Sequence, residues 1–204
     1  MLNKIKEVNF KKYSDGLVPC IIQDYLTGQV LMLGYMNEDS LTKTIETGKV
    51  TFFSRQRQEL WTKGATSGNY LFLEDWGLDC DQDAILVLAN PVGPTCHTGT
   101  TSCFRMNKDY SLQILGELNK TIANRDKSDC EKSYTKSLLK EGVKRISQKV
   151  GEEGVEVALA GLYGDKLEIA NESADLVYHL LVLLYATKVD FNNVTQVLRE
   201  RMKK

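Results

Sequence analysis

The run Asp79-Cys80-Asp81-Gln82-Asp83, followed by Cys96-His97 and Cys103, sets hard oxygen donors beside soft sulfur donors. Read as an extended strand, it turns Asp79, Asp81 and Asp83 to one face and Cys80 to the other. Three carboxylates suit magnesium, whereas a thiolate suits zinc. Cys96 and Cys103 bring the protein ligands for zinc to three, the number found where a catalytic zinc keeps one position open for water. A closed structural site needs a fourth Cys or His. The nearest, His97, adjoins Cys96, and neighbouring side chains in an extended loop diverge. A closed zinc knot or three buried free thiols is the competing reading. Cys20 and Cys130 have no acidic or cysteine neighbours at ligand spacing and read as packing residues.

A second constellation lies further along. Glu152, Glu153 and Glu156 fall in one helical pattern, Glu172 and Asp175 in the next. Spacing by three brings Glu153 with Glu156, and Glu172 with Asp175, onto common helical faces. If the two helices pack antiparallel, four or five carboxylates converge within a bundle, where their repulsion calls for cations or protons. Oxygen-only ligands favour magnesium or manganese, ions that most often serve phosphate chemistry. Lys144, Arg145 and Lys149 precede the cluster and suit phosphate oxygens. The competing reading is a solvated acidic face, which the lack of interleaved Lys or Arg at i+4 disfavours.

Between residues 54 and 69, Arg55, Arg57, Lys63, Thr66 and Ser67 accompany two glycines, a composition suited to holding an anion close to the backbone. Trp61 either stacks on a base or fills the core. Ser133-Tyr134-Thr135 reads as a helix cap or a substrate loop.

The elements that must position these groups fall into two textures. Strand signals cover Leu17 to Ile22, Gln29 to Leu33, Val50 to Ser54, Tyr70 to Leu73 and Ala84 to Leu88, with a helix opened by Asn37 and ended by Gly48. Beyond about Met106 there is no proline, and apolar residues recur at helical spacing. One helix holds Leu112 to Leu118, a second Leu138 to Leu162, a third Leu167 to Ala186 and a fourth Val194 to Met202. Asp165 and Asp190 serve as N-caps, and Asn119 to Lys132 reads as loop or frayed helix. The expectation is a β-rich α+β domain over residues 1–107 and an all-α bundle over 108–204. The 26 basic and 27 acidic residues nearly cancel, which disfavours nucleic acid or a membrane surface as partner. Five cysteines and no signal-peptide pattern at the start point to a reducing cytoplasm.

Phe52-Phe53-Ser54-Arg55, Leu60-Trp61-Thr62-Lys63-Gly64, Asp79-Cys80-Asp81-x-Asp83 and Gly93-Pro94-Thr95-Cys96-His97-x-Gly99 together resemble phosphoribosyl-AMP cyclohydrolase. Lys149-Val150-Gly151-Glu152-Glu153-x-x-Glu156 with Glu172-Ser173-Ala174-Asp175 resembles phosphoribosyl-ATP pyrophosphohydrolase, a relative of the all-α NTP pyrophosphatases. The order is that of the fused bifunctional family of histidine biosynthesis. Ala65 departs from the family, which more often has an acidic residue there.

The resemblance implies that the second half hydrolyses phosphoribosyl-ATP to phosphoribosyl-AMP and pyrophosphate. Glu153, Glu156, Glu172 and Asp175 would hold magnesium, with Glu152 a further ligand or a group activating water. Lys149 would contact substrate. The first half would open the adenine ring between N1 and C6, with zinc on Cys80, Cys96 and Cys103 activating water. Magnesium on Asp79, Asp81 and Asp83 would help bind substrate phosphate, and His97 would act as general acid or base. Arg55, Arg57, Trp61, Lys63, Thr66 and Ser67 would bind substrate. The resemblance also implies a homodimer sharing zinc ligands between subunits. A zinc-stabilised interaction module fused to a house-cleaning NTP pyrophosphatase is the alternative. The His-x-Glu and Pro-Cys-x-x-Cys pattern of a base deaminase is absent.

Overall fold

The computed structural model describes residues 2–106, 112–128 and 132–203. Contacts divide the chain into two compact units, Met1–Ile114 and Leu115–Lys204. The expected boundary between 107 and 108, and Cys130, lie outside the described residues.

In the first unit, β1 (Val18–Asp24) alternates strictly, burying Val18, Cys20, Ile22 and Asp24. It pairs antiparallel with β2 (Val30–Met36) and parallel with β6 (Ile85–Pro91), which pairs antiparallel with β5 (Leu71–Leu78). The resulting order is β2-β1-β6-β5. Helix α1 (Glu38–Thr47) begins as the sequence predicts, because Asn37 and Ser40 form a reciprocal capping box, and Gly48 ends it. Leu41 of α1 and Phe52 of β3 (Thr51–Ser54) cover the buried sheet face, where Ile22, Leu31, Ile85 and Val87 lie. Each large aliphatic buried there stabilises the fold by about 1.5–3 kcal/mol. The strand β4 (Glu59–Thr62) pairs with β3. Part of the stretch expected as an anion loop is therefore ladder.

The run 79–83 is a correction. Expected as strand, it is a turn beyond β5: Gln82 N–H donates to the Asp79 carbonyl at 3.4 Å, and Gln82 has φ 63°. The Asp79 carboxylate accepts from the Asp83 and Ala84 amides at 3.0 and 3.1 Å. A carboxylate that satisfies backbone donors locally favours a turn over a ladder.

The second unit contains five helices among the described residues. The polar stretch expected as loop is mostly helix α2 (Gln113–Lys127), docked by buried Ile122. The predicted helix over Leu138 to Leu162 is two helices, α3 (Tyr134–Glu141) and α4 (Val143–Tyr163). They break at Gly142, whose φ 86° and ψ 178° suit glycine alone. Ser133 caps α3, accepting from the Lys136 amide. Helix α5 (Lys166–Ala186) follows α4 after two residues, and Asp165 caps it by accepting from the Leu167 and Glu168 amides. So short a link makes α4 and α5 an antiparallel hairpin. Asp190 caps α6 (Phe191–Arg201) as expected. Ile122, Leu138, Ile146, Leu181 and Val182 form the core. No described helix is long and apolar enough to cross a membrane.

Candidate active sites

The loop after β6 turns back at Cys96, whose amide donates to the Thr100 carbonyl and whose carbonyl accepts from Gly99 N–H, both at 3.0 Å. It is tied to β2 by the Cys103 amide on the Leu31 carbonyl and by the Ser102 hydroxyl on the Val30 carbonyl. The turn brings His97 Nδ1 to 3.9 Å from Cys96 Sγ, so the two side chains do not diverge as expected of an extended loop. The Thr98 hydroxyl donates to Cys96 Sγ at 3.1 Å. This bond stabilises a thiolate and draws the Cys96 pKa down to about 6. Burial and the neighbouring Cys96 sulfur push the Cys103 thiol up.

Cys96, His97 and Cys103 line a pocket of ≈ 510 Å³ with Trp61, Lys63, Thr66 and Ser67. Gly64 and Asn69 form its tight corner: a Cβ on Gly64 would meet the Asn69 backbone at 2.4 Å. Lys63 is nearly buried, and its ammonium approaches the Asn69 carbonyl at 3.5 Å. Trp61 packs against the core, stacking on Phe52 at 5.7 Å, and also lines this pocket. Arg55 and Arg57 do not line it. Arg55 lies 3.7 Å over the Tyr35 ring, and Arg57 pairs with Glu59 at 3.6 Å. Sequence reasoning missed Asn69 and Thr95; Thr95 is 2% exposed, with its hydroxyl unpartnered.

Cys80 is exposed and is not among the residues of that pocket. Among the described residues no metal-sized group of three includes a thiol. Asp79, Asp81 and Asp83 do form one, with ligand atoms within 4.8 Å of one another, despite the turn. Lys12 places its ammonium 2.5 Å from both Asp81 and Asp83, and the Tyr13 hydroxyl donates to Asp83 at 3.2 Å. That ammonium lies where a cation would be expected. No local spacing could have revealed it, because it arrives from the other end of the unit.

In the second unit, Glu153 and Glu156 of α4 meet Glu172 of α5, again with ligand atoms within 4.8 Å. Asp175 is exposed and outside this group. Glu153 is 4% exposed. Lys149 pairs with Glu153 at 2.8 Å and Glu152 at 2.9 Å. Lys149, which precedes the cluster in sequence, is thus paired with it in the fold. Lys149 holds Glu153 below the usual carboxylate range, whereas the proximity of Glu153 pushes Glu156 up. One proton or cation thus relieves the pair. Glu152 turns away to Lys149, Gln148 and Arg145. His179, buried on α5, donates from Nδ1 to the Asp175 carbonyl at 2.9 Å and lies 3.6 Å from Glu153.

Residues 32–105 match the family model for phosphoribosyl-AMP cyclohydrolase, and residues 115–202 that for phosphoribosyl-ATP pyrophosphohydrolase. The chain is 56% identical to the histidine biosynthesis bifunctional protein HisIE of Vibrio vulnificus strain YJ016, covering 97% of this chain and 94% of the relative. It is 54% identical to that of Photobacterium profundum over the full length of both. It is 53% identical to that of Escherichia coli K12, over 96% of each.

Proposed function

The chain belongs to the HisIE family of bifunctional histidine-biosynthesis proteins, and from that premise we propose how its residues divide two consecutive hydrolyses. The helical unit, taken as 108–204, releases pyrophosphate from phosphoribosyl-ATP. The β-rich unit, taken as 1–107, then opens the adenine ring of phosphoribosyl-AMP. The observation that carries this reading is that thiols gather in a pocket of the β-rich unit, whereas the helical unit gathers carboxylates around buried Glu153.

The donors fit the ions expected. Cys96, already a thiolate near neutral pH, suits zinc; the Glu153–Glu156–Glu172 group, with one carboxylate pushed up by the other, suits magnesium. Bound zinc would supply water activation, and bound magnesium would supply neutralisation of phosphate charge. Around the thiol pocket, Trp61 packs on the base, while Lys63, Thr66 and Ser67 hold phosphate. His97 delivers a proton to N1 as the C6–N1 bond breaks. Asp79, Asp81 and Asp83 form a second magnesium site for substrate phosphate, with Lys12 as the cation magnesium displaces. In the helical unit, Glu152 orients Lys149, which contacts the departing phosphates. Asp175 contributes through its carbonyl on His179.

Two thiols in one pocket and Cys80 outside it support a homodimer, in which Cys80 of a second copy completes the zinc site. A row of apolar side chains supports this further. Ile21, Leu33 and Leu86 stand in register on the outer sheet face and are 37, 44 and 40% exposed. Burying such a row against a second copy is favourable. The chemistry belongs in the cytoplasm, with small nucleotides as partners and neither nucleic acid nor membrane.

Incubation of the purified chain with phosphoribosyl-ATP tests the reading. Pyrophosphate should appear first, then the ring-opened product, and removal of zinc should stop only the second. Loss of pyrophosphate release on zinc removal alone would reverse the assignment of metals to units.

A further inference from the structure

Tyr134 opens α3 and is 52% exposed, yet its ring is held on two sides. It stacks on Tyr178 at 6.2 Å and 30°, and meets the buried His179 ring edge-on at 6.1 Å and 84°. His179 spends Nδ1–H on the Asp175 carbonyl, so in the neutral ring Nε2 accepts the Tyr134 hydroxyl at 3.0 Å. The same imidazole lies 3.6 Å from Glu153. The Thr135 and Tyr178 hydroxyls bond to each other at 2.8 Å, which satisfies the polar end of the neighbouring ring. An immobilised aromatic face therefore stands one imidazole away from the carboxylate group. Tyr163, another well-exposed ring of this unit, lies ten residues along α4 from Glu153, roughly 15 Å.

We propose that Tyr134 binds the adenine of phosphoribosyl-ATP by stacking, with His179 as the positioning residue that fixes its ring. Carboxylates acting through a bound cation, and lysines, recognise phosphate but do not distinguish a nucleotide from inorganic polyphosphate. A flat π surface supplies that distinction, because every base has a face to stack. Holding the ring in advance removes most of the ordering cost of binding. The ring, not the hydroxyl, is the working part. The hydroxyl is committed to His179, and burial pushes its pKa up, away from proton transfer. This rests on the Glu153–Glu156–Glu172 group being the site of pyrophosphate release.

The test follows pyrophosphate release by the full-length chain, with magnesium, in competition with ATP or with inorganic tripolyphosphate. Base stacking is worth about 1–3 kcal/mol, so Tyr134→Ala should weaken inhibition by ATP about five- to 150-fold. It should raise KM for substrate similarly, with kcat changing less. Inhibition by tripolyphosphate and the magnesium-induced rise in melting temperature should persist. Tyr134→Phe, which keeps the ring, should lose less than Tyr134→Ala. Unchanged inhibition by both competitors would overturn the proposal. Equal loss of both, with loss of the magnesium shift, would also overturn it by making Tyr134 a scaffold residue. Absence of pyrophosphate release from the unaltered chain would overturn the carboxylate site as well, and so separates the two failures.

Discussion

The thiol pocket and the carboxylate group are built in opposite ways. The pocket gathers loops after β4 and β6, the first bonded to Val50 and the second to β2, so its walls come from residues distant in sequence. It collects two of the three expected thiols. The carboxylate group sits on two consecutive helices joined by two residues, and it brings its three acids together within one chain. Loop-built sites depend on long-range packing and, in the dimer we propose, on a second copy; hairpin-built sites depend on local helix geometry. The first should be sensitive to association, the second to cations.

The sharpest way to break that contrast is subunit mixing. Cys80→Ser and Cys96→Ser should each abolish ring opening while pyrophosphate release continues. Mixed and exchanged, they should recover about a quarter of the sites, because half the dimers are mixed and each has one intact site. No recovery, assayed by ring-opened product, would place all ligands within one chain.

Next in size is Glu156→Gln, which should eliminate pyrophosphate release yet leave the metal-free fold as stable or more so, since a repelling group is gone. Magnesium should raise the unaltered protein's melting temperature by mass action and raise the variant's far less. An active variant with a normal shift would return these acids to a solvated face.

A smaller effect concerns pH. The Thr98 hydroxyl stabilises the Cys96 thiolate, so alkylation of Cys96 in zinc-stripped protein should rise through a midpoint of about 6. Because the folded value is depressed, this stabilisation is present above the unfolded thiol's pKa and is lost as pH falls through about 6. Thr98→Val should move the midpoint upward. A midpoint that does not move would remove Thr98 from the account.

Least disruptive is Asp165→Ala at the start of α5, which should cost about 1 kcal/mol in a urea melt through loss of the cap. Ring opening should not change. A change in ring-opening rate would contradict the independence of the two constructions.

What the sequence revealed follows the same contrast. Asn37 with Ser40, Asp165 and Asp190 announce helix starts through bonds made within three residues, and β1 announces itself by an apolar, β-branched run from Leu17 to Ile22. The Glu153–Glu156 pair was legible because helical periodicity is local. The break at Gly142 was not, because apolar spacing continues through it. Nor was α2 beyond Leu118, where Ile122 is the one fully buried side chain in polar surroundings. The turn at 79–83 read as strand because alternating acids mimic a pleat, and Lys12 reaches it only through the tertiary fold.

The parallel pairing of β1 with β6 sets an order of events in time. β1 ends at Asp24 and β6 begins at Ile85, so the central pair of the sheet closes a long loop before it gains any contact. During synthesis β1 can pair with β2 at once, but its other edge waits for β6. The α4–α5 hairpin needs no such delay, since its halves meet as soon as both exist. The carboxylates made last should therefore assemble within moments of being made, whereas the thiol loop must wait for the sheet that supports it.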